Sequence, residues 1–391
     1  MQDHGFRTYH SIDRVHYGVG SMGVIRNEME RRGWRRAFLI VSRTLANTSD
    51  VVQCVQRDLA EACVGHFDEM PAHTPREAVV AAAECARSVN ADVIVTIGGG
   101  TVIDGAKVVR LCLSENVRTT SELDRFRIVT RPDGTRHLPD YEAPWIPQIA
   151  ISTTLSAAEF TPIAGCTDRE RGVKDLYKHP ALVPSVIVLD AAATLPTPMR
   201  LWLGTGIRAL DHAVETICAP TVDDYTMGTA LHALRLLSEY LPHSYRDPKD
   251  LTARHKCFMA AWLSADHTMA NVQTGASHGI GYILGSALHV PHGETSCVML
   301  PATLRFNQRA CPEAQQLVSA TMGRPGVPAW QAVKEFVASL GLPTTLQEVG
   351  VGSESFGRIA AIAMQSHFIH SNPRPIRHEH EVTELLQLAC Q

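Results

Sequence analysis

No apolar run in this sequence approaches the roughly 20 residues a bilayer-spanning helix needs, so no membrane-embedded segment is expected. The opening MQDHGFRTYH carries polar and charged residues where a secretory leader needs an apolar stretch, which points to a cytoplasmic protein. The ten cysteines are scattered, with no two at CxxC spacing. That argues against a cysteine zinc site and a disulfide framework, and predicts free thiols in a reducing compartment. Neither charge sign dominates: 36 Lys plus Arg face 40 Asp plus Glu, a net charge of −4. A chain so balanced is not built to coat nucleic acid. The sequence also lacks internal repeats, low-complexity segments, a GxGxxG fingerprint and a Walker A loop.

What is present is an ordinary globular composition, 45% hydrophobic and 19% charged over 391 residues. That length supports a sizeable core without disulfides or a structural metal and suggests two domains. The first half alternates short apolar runs with helical segments. AFLIVS (37–42), ADVIVTI (91–97), PQIAIST (147–153) and SVIVLD (185–190) read as buried strands. VVQCVQRDLAEAC (51–63), AVVAAAECARSV (78–89) and TVIDGAKVVRLCL (101–113) read as helices. Such alternation implies a parallel sheet with helices on both faces. After LPTP (195–198) only helical stretches follow, from Leu203 to Leu241, from Leu251 to Gly285, and onward. The expected organisation is an α/β dinucleotide-binding domain over 1–195 and an all-helical domain over 196–391. Residues 117–141, with Pro132-Asp133-Gly134, read as a polar surface excursion.

Gly98, Gly99 and Gly100 fall between a buried strand and a helix. Glycine allows positive φ and close ligand approach, and the helix that follows aims its free N–H groups at the turn. Together these make a pyrophosphate cradle; the alternative is a tight connection with no ligand. Asp104 and Lys107 lie in the first turns of that helix, one favouring its N-terminus and the other reading as a solvated charge. Ser152, Thr153 and Thr154 end another strand, where open α/β sheets bind ligands. In the helical half, Arg208 and His212 are four apart on an amphipathic helix whose apolar stripe is Ile207, Leu210, Val214 and Ile217. SHGIGYILGSALHVPHGE adds His278, Tyr282, His289 and His292, the last in a Pro-His-Gly break. Three histidines from different elements suit a metal site, but spacing alone reads more plainly as hydrogen-bonded structural histidines.

The combined order resembles the iron-containing alcohol dehydrogenase family: GGGTVID-x2-K, TT-x4-E-x-TPI, HAVE, SHGIGY…PHGE and RFN. TTLSAAEFTPIAG (153–165) and NPRPI (372–376) resemble its maleylacetate reductase branch, and the likeness runs from about Tyr17 to Ile376. The resemblance implies the dehydroquinate synthase-like fold of that family, with an active site in the cleft between the two domains. It implies that Gly98, Gly99, Gly100 and Thr101 line the cofactor pyrophosphate, Asp104 belonging to the same motif. It also places Thr153, Thr154 and Lys174 in the cofactor pocket, and implies a homodimer.

The family binds metal through one aspartate and three histidines. His212, His278 and His292 match the histidines, but Arg208 stands at the aspartate position and Tyr282 where a histidine is usual. Asp211 is not expected to substitute, since neighbouring helix positions point about 100° apart. A guanidinium cannot ligate a cation and stays charged, so no catalytic metal is expected, unless Arg208 swings outward to pair with Asp211, Glu215 or solvent. Arg208 would instead take a substrate carboxylate or a developing oxyanion, with His278 and His292, and Tyr282 or His212 would donate a proton. At the end of the first strand Ser42 replaces the acid that favours NADH, and Arg43 follows, so NADPH as well as NADH is expected to bind. The expected function is an NAD(P)H-dependent, metal-independent reductase of a small oxo acid, such as maleylacetate in aromatic-compound catabolism. The alternatives are a metal-dependent alcohol dehydrogenase or aldehyde reductase, and a lyase or cyclase on the same fold.

Overall fold

In the computed structural model, residues 7, 9, 12–130, 136–140 and 146–391 are described. The chain divides into two units, His10–Thr197 and Pro198–Gln391, the second also taking in Met1–Tyr9. The first unit is built on strands β1 (Arg14–Tyr17), β2 (Ala37–Val41), β3 (Cys63–Phe67), β4 (Val93–Gly98), β7 (Gln148–Ser152) and β10 (Val186–Leu189). These form one sheet in the order β1-β10-β7-β4-β2-β3, all neighbours parallel.

Pleating sends successive side chains to opposite faces, and here both faces are dry. Phe38, Ile40 and Ile94 pack on one side with Val79, Ala82 and Ala86 of α4 (Arg76–Ser88) and Val102, Ala106 and Val109 of α5 (Gly100–Ser114). Leu39, Val41, Val93, Val95 and Ile97 pack on the other. That face meets α1 (Ile25–Arg32), α2 (Arg43–Thr48) and α3 (Val51–Leu59) through Met29, Leu45, Val52 and Val55. Two-sided burial is why these strands read as continuous apolar runs.

The chain lays β3 on one side of β2 and then crosses to lay β4 on the other. The order therefore reverses between β2 and β4, and it is outside the carboxyl ends of strands at such a point that open α/β sheets bind ligands. Ser42 and the glycine turn flank that point, with the Ser42 N–H donating to the Ile97 carbonyl at 2.9 Å.

The sequence did not announce the antiparallel hairpin β8 (Ile163–Asp168) and β9 (Val173–Lys178). Its inward residues include Asp175, whose carboxylate meets the buried Arg76 at 2.7 Å, so no apolar run marks it. The stretch 117–141 is also less solvated than its polarity suggests. Val117, Leu123 and Phe126 are buried, and a two-residue ladder joins β5 (Val129–Thr130) to β6 (Arg136–His137). Pro132, Asp133 and Gly134 lie outside the described residues.

The second unit is helical: α6 (Met199–Cys218), α7 (Asp224–Arg246), α8 (Leu251–Ser264), α9 (Ala276–Leu288) and α10 (His292–Asn307). Then come α11 (Pro312–Thr321), α12 (Ala329–Ser339), α13 (Phe356–Ala363), α14 (His367–His370) and α15 (Glu379–Leu388). The helical stretch read from Leu251 to Gly285 divides into α8 and α9, with a break between Ser264 and Ala276 where Asn271 adopts a positive φ of 55°. The first nine residues were expected in the nucleotide-binding half. Arg7 instead belongs to the helical unit, its Nη1 donating to both Asp266 carboxylate oxygens at 2.8 Å and its Nη2 to Thr226 at 2.6 Å. No helix among the described residues is long and apolar enough to cross a membrane.

Lys107 is no solvated charge: its side chain is fully buried. Its ammonium donates to the carbonyls of Ala158 at 2.6 Å, Ile163 at 2.8 Å and Thr161 at 3.1 Å, and lies 3.3 Å from Asp104. Burial pushes its pKa down while Asp104 pulls it back up. Replacing Lys107 by Met keeps the volume but takes its donor from the Thr161 carbonyl, while those of Ala158 and Ile163 keep donors from Thr161. The expected loss for Lys107→Met is about 1–3 kcal/mol of unfolding free energy in a denaturant titration. A variant as stable as the wild type would remove Lys107 from this role.

Candidate active site

In the first unit, the sequence-selected residues gather around the end of β4. Gly98, Gly99 and Gly100 do not use positive φ, contrary to one reason expected for them; Gly99 lies at φ −92°. They serve close packing. A Cβ on Gly99 would fall 2.9 Å from Thr154 Oγ1, and one on Gly100 3.1 Å from Ser156 Oγ. Thr153 joins the same turn, its N–H donating to the Gly98 carbonyl at 3.0 Å. Thr101 accepts from the Thr74 hydroxyl through its carbonyl at 3.2 Å. No side chain caps the N-terminus of α5, which leaves its first N–H groups for an anion.

Ser152 Oγ, Thr154 Oγ1 and Glu159 Oε2 are buried here without partners. Asp104 accepts from the Gly165 N–H at 3.2 Å, and the Lys174 stem lies across Gly165, where a Cβ would collide with it. Uncapped N–H groups and orphaned hydroxyls at the switch point fit a dinucleotide. Ser42 stands at the tip of β2, and the Arg43 guanidinium is drawn to Glu69 at 3.0 Å and Asp68 at 3.9 Å.

In the helical unit, α6 is buried all round, although its sequence reads as amphipathic. Arg208 is 3% exposed and Asp211 fully buried, as are Ile207, Leu210 and Val214 around them. A glycine crossing sets this geometry. A Cβ on Gly293 would fall 2.5 Å from the Gly204 backbone, so α6 and α10 touch main chain to main chain. One turn further along both helices, Arg208 Nη1 donates to Ser296 Oγ at 3.0 Å. Ser296 in turn donates to Asp211 Oδ2 at 2.7 Å, as Ser277 does at 2.8 Å. Arg208 Nη1 and Asp211 Oδ2 are 3.7 Å apart. The guanidinium thus stays inside rather than swinging to solvent.

Asp211, which helical angles seemed to exclude, does reach the histidines. Its Oδ2 lies 3.4 Å from His278 Nδ1, approaching the edge of the ring already taken by Glu215. Glu215 holds that Nδ1 at 2.6 Å and accepts from the N–H groups of Gly275 and Ser277, each at 2.9 Å. Beside this, Asn307 of RFN and Asn372 of NPRPI pair amide to amide at 2.7 and 3.0 Å, and Asn372 accepts from the Ala276 N–H at 3.3 Å. Two distant motif fragments therefore meet to fix the start of α9.

The rings form a chain. His278 stacks on His212 at 4.7 Å, and His267, which no sequence signal marked, packs on His212 at 5.4 Å. On the other side Arg208 lies 5.3 Å from the Tyr282 ring, which is 5.3 Å from His292 and 5.4 Å from Phe368. Burial and then the Arg208 charge push His212 and His278 well below the usual imidazole range, so both are neutral. Burial pushes Asp211 up to about 6 against the pull of Arg208. Burial and then the Asp211 charge push Glu215 up to about 8. His278 Nε2 and His212 Nδ1 are buried without partners. Ser296 and His267 are site residues that sequence reasoning missed; Glu215 and Ser277 carried a signal only as the last letter of HAVE and the first of SHGIGY, and Asp211 was set aside.

Comparison with known proteins agrees with this architecture. The iron-containing alcohol dehydrogenase model matches residues 13–191, and that of the Fe-containing alcohol dehydrogenase family, C-terminal, matches 203–390. The chain is 30% identical to the maleylacetate reductase of Rhizobium sp. strain MTP-10005, with 97% of this chain and 95% of that one covered. It is 29% identical to the dehydrogenase FUM7 of Gibberella moniliformis, covering 100% and 99%. The crystal structure of maleylacetate reductase from Agrobacterium tumefaciens superposes with a TM-score of 0.80 at 28% identity, covering 99% and 98%. With matches across both units, the chain belongs to the iron-containing alcohol dehydrogenase family, in its maleylacetate reductase-like branch.

Proposed function

We propose that this chain, an NAD(P)-dependent oxidoreductase by family, reduces a small oxo acid of the maleylacetate kind without a catalytic metal. The observation that carries this reading is Arg208, buried among neutral histidines at the position of the family's aspartate ligand. A guanidinium offers donors only and repels a divalent cation. The cluster Asp211, Glu215 and His278 brings three ligand types together, but the His278 nitrogen among them is already engaged by Glu215. The donor set therefore does not fit the family's metal.

The same residues fit an anionic substrate. One donor of Arg208 is committed to Ser296, and the rest of the fork can take a carboxylate or steady charge developing on a carbonyl oxygen. Neutral His212 and His278 add no competing charge. Tyr282, beside Arg208, is the group that would give a proton; His212, held neutral by burial, does not suit that role. A bound nicotinamide nucleotide would supply the hydride. With maleylacetate, hydride to one carbon of the C=C bond and a proton to the other yield 3-oxoadipate.

The second reading is a metal-dependent alcohol dehydrogenase, and the orphaned His278 Nε2 and His212 Nδ1 favour it. One assay separates the two: NADH and NADPH oxidation at 340 nm with maleylacetate, before and after chelation. The expected result is a rate that chelation leaves unchanged, and a fall of about 100-fold or more in kcat/KM for Arg208→Ala. Loss of activity on chelation, restored by zinc or iron, would establish the metal reading instead.

At the adenosine end, Ser42 in place of an acid admits a 2′-phosphate, while Arg43 is occupied by Glu69. Both nucleotides are therefore expected to serve. Ser42→Asp should raise the KM for NADPH about tenfold and leave that for NADH nearly unchanged. Equal effects on both would remove Ser42 from ribose recognition.

A further inference from the structure

Arg208 cannot be understood alone. A guanidinium that is 3% exposed has been taken from water, and an uncompensated charge there would be expelled or would rearrange the helix. Among the described residues, the carboxylate within ion-pair distance of it is Asp211, one turn along the same helix, fully buried and 3.7 Å away. The two share a hydroxyl: Ser296 accepts from Arg208 and donates to Asp211. Asp211 is in turn fixed by Ser277 from α9. Three helices thus converge on a guanidinium–hydroxyl–carboxylate bridge, and no other hydrogen bond from the guanidinium occurs among the described residues.

We propose that Asp211 is the positioning residue for Arg208, holding it through Ser296 as one half of an internally neutral pair. The substrate is then gripped at this point through one carboxylate or one carbonyl oxygen, not as a dianion. This rests on Arg208 being the substrate anchor. The pair fixes the direction in which the free N–H groups point and sets the net charge a ligand meets. A site with a bare guanidinium draws polyanions; one already balanced by Asp211 rewards geometry over charge.

The two consequences separate in one variant. Asp211→Asn keeps the shape and an acceptor for the serines but removes the negative charge. It should lower kcat about tenfold, because Arg208 is no longer held, and tighten inhibition by succinate about tenfold, because a repelling charge near the bound dianion is gone. A purely structural aspartate would lower the melting temperature and tighten nothing. Ser296→Ala, which keeps both charges, should lower kcat without tightening succinate, and it tests the bridge if Asp211→Asn does not fold. Succinate binding is also measured by calorimetry on the wild type and Arg208→Ala, with no turnover required. Binding lost in Arg208→Ala but no reduction of any carbonyl would sink the reductase reading and leave this inference standing. Succinate binding indifferent to Arg208, or unchanged kcat and succinate affinity in Asp211→Asn, would overturn it.

Discussion

A positive charge that cannot be neutralised by losing its proton sits inside a packed helical unit, and the arrangement around it follows from that. Removing a charge from water costs several kcal/mol even after relaxation. A carboxylate about 4 Å away returns about 4 kcal/mol at an effective dielectric near 20, so Arg208 needs Asp211 nearby. Asp211 needs donors of its own, and Ser277 and Ser296 supply them. Those serines stand on α9 and α10, so both helices must approach α6 closely. The Gly204–Gly293 crossing provides that approach, at a place where a Cβ on Gly293 would push the helices apart. Side-chain chemistry and backbone spacing are here one constraint seen at two scales.

The nucleotide-binding unit meets a similar demand with the opposite means. Where α6 and α10 use glycines to bring charged groups together, the turn after β4 uses them to bring hydroxyls against bare backbone. Thr154 and Ser156 occupy the volume that side chains at 99 and 100 would claim. The buried ammonium of Lys107 then closes the segment 158–163 over α5 by its carbonyls. The result is a rigid wall beside uncapped helix N–H groups, suited to an anionic ligand that should meet little reorganisation on binding.

How much of this was legible in the sequence depends on whether a residue's environment is local. The parallel strands were, because burial on both faces leaves an uninterrupted apolar run such as AFLIV. The β8–β9 hairpin was not, because Asp175 points inward to an arginine nearly a hundred residues earlier. Lys107 read as solvated since nothing near it in sequence shows the carbonyls that surround it. Arg208 and the matching histidines were visible through the order of motifs. Asp211 was set aside on angular grounds that are correct for a ligand position. What the angle does not reveal is that the residue beside a ligand position can serve from the rear, reaching Nδ1 of His278 while Nε2 faces away. Ser296 carries no signal and Ser277 only its place at the head of SHGIGY, because their role exists only once α9 and α10 are packed.

Glu215 supports its neighbours in a way that does not depend on what the site holds. It fixes one edge of His278 through a 2.6 Å contact and pins the preceding loop through two backbone N–H groups. This is the kind of support that orients an imidazole toward a metal. Nothing in it depends on what stands before Nε2. A neutral imidazole so held is equally a rigid wall for an organic carbonyl, with Nε2 left for whatever the site holds. The ligand position four residues before His212 is different in kind: its occupant sets the charge of the whole cluster. An aspartate there adds a negative charge that a dication must answer, whereas Arg208 adds a positive one that Asp211 answers from within the chain. Exchanging that one side chain, with a partner three residues on, alters what the site can hold while leaving Glu215 and the helix crossing to do the same work.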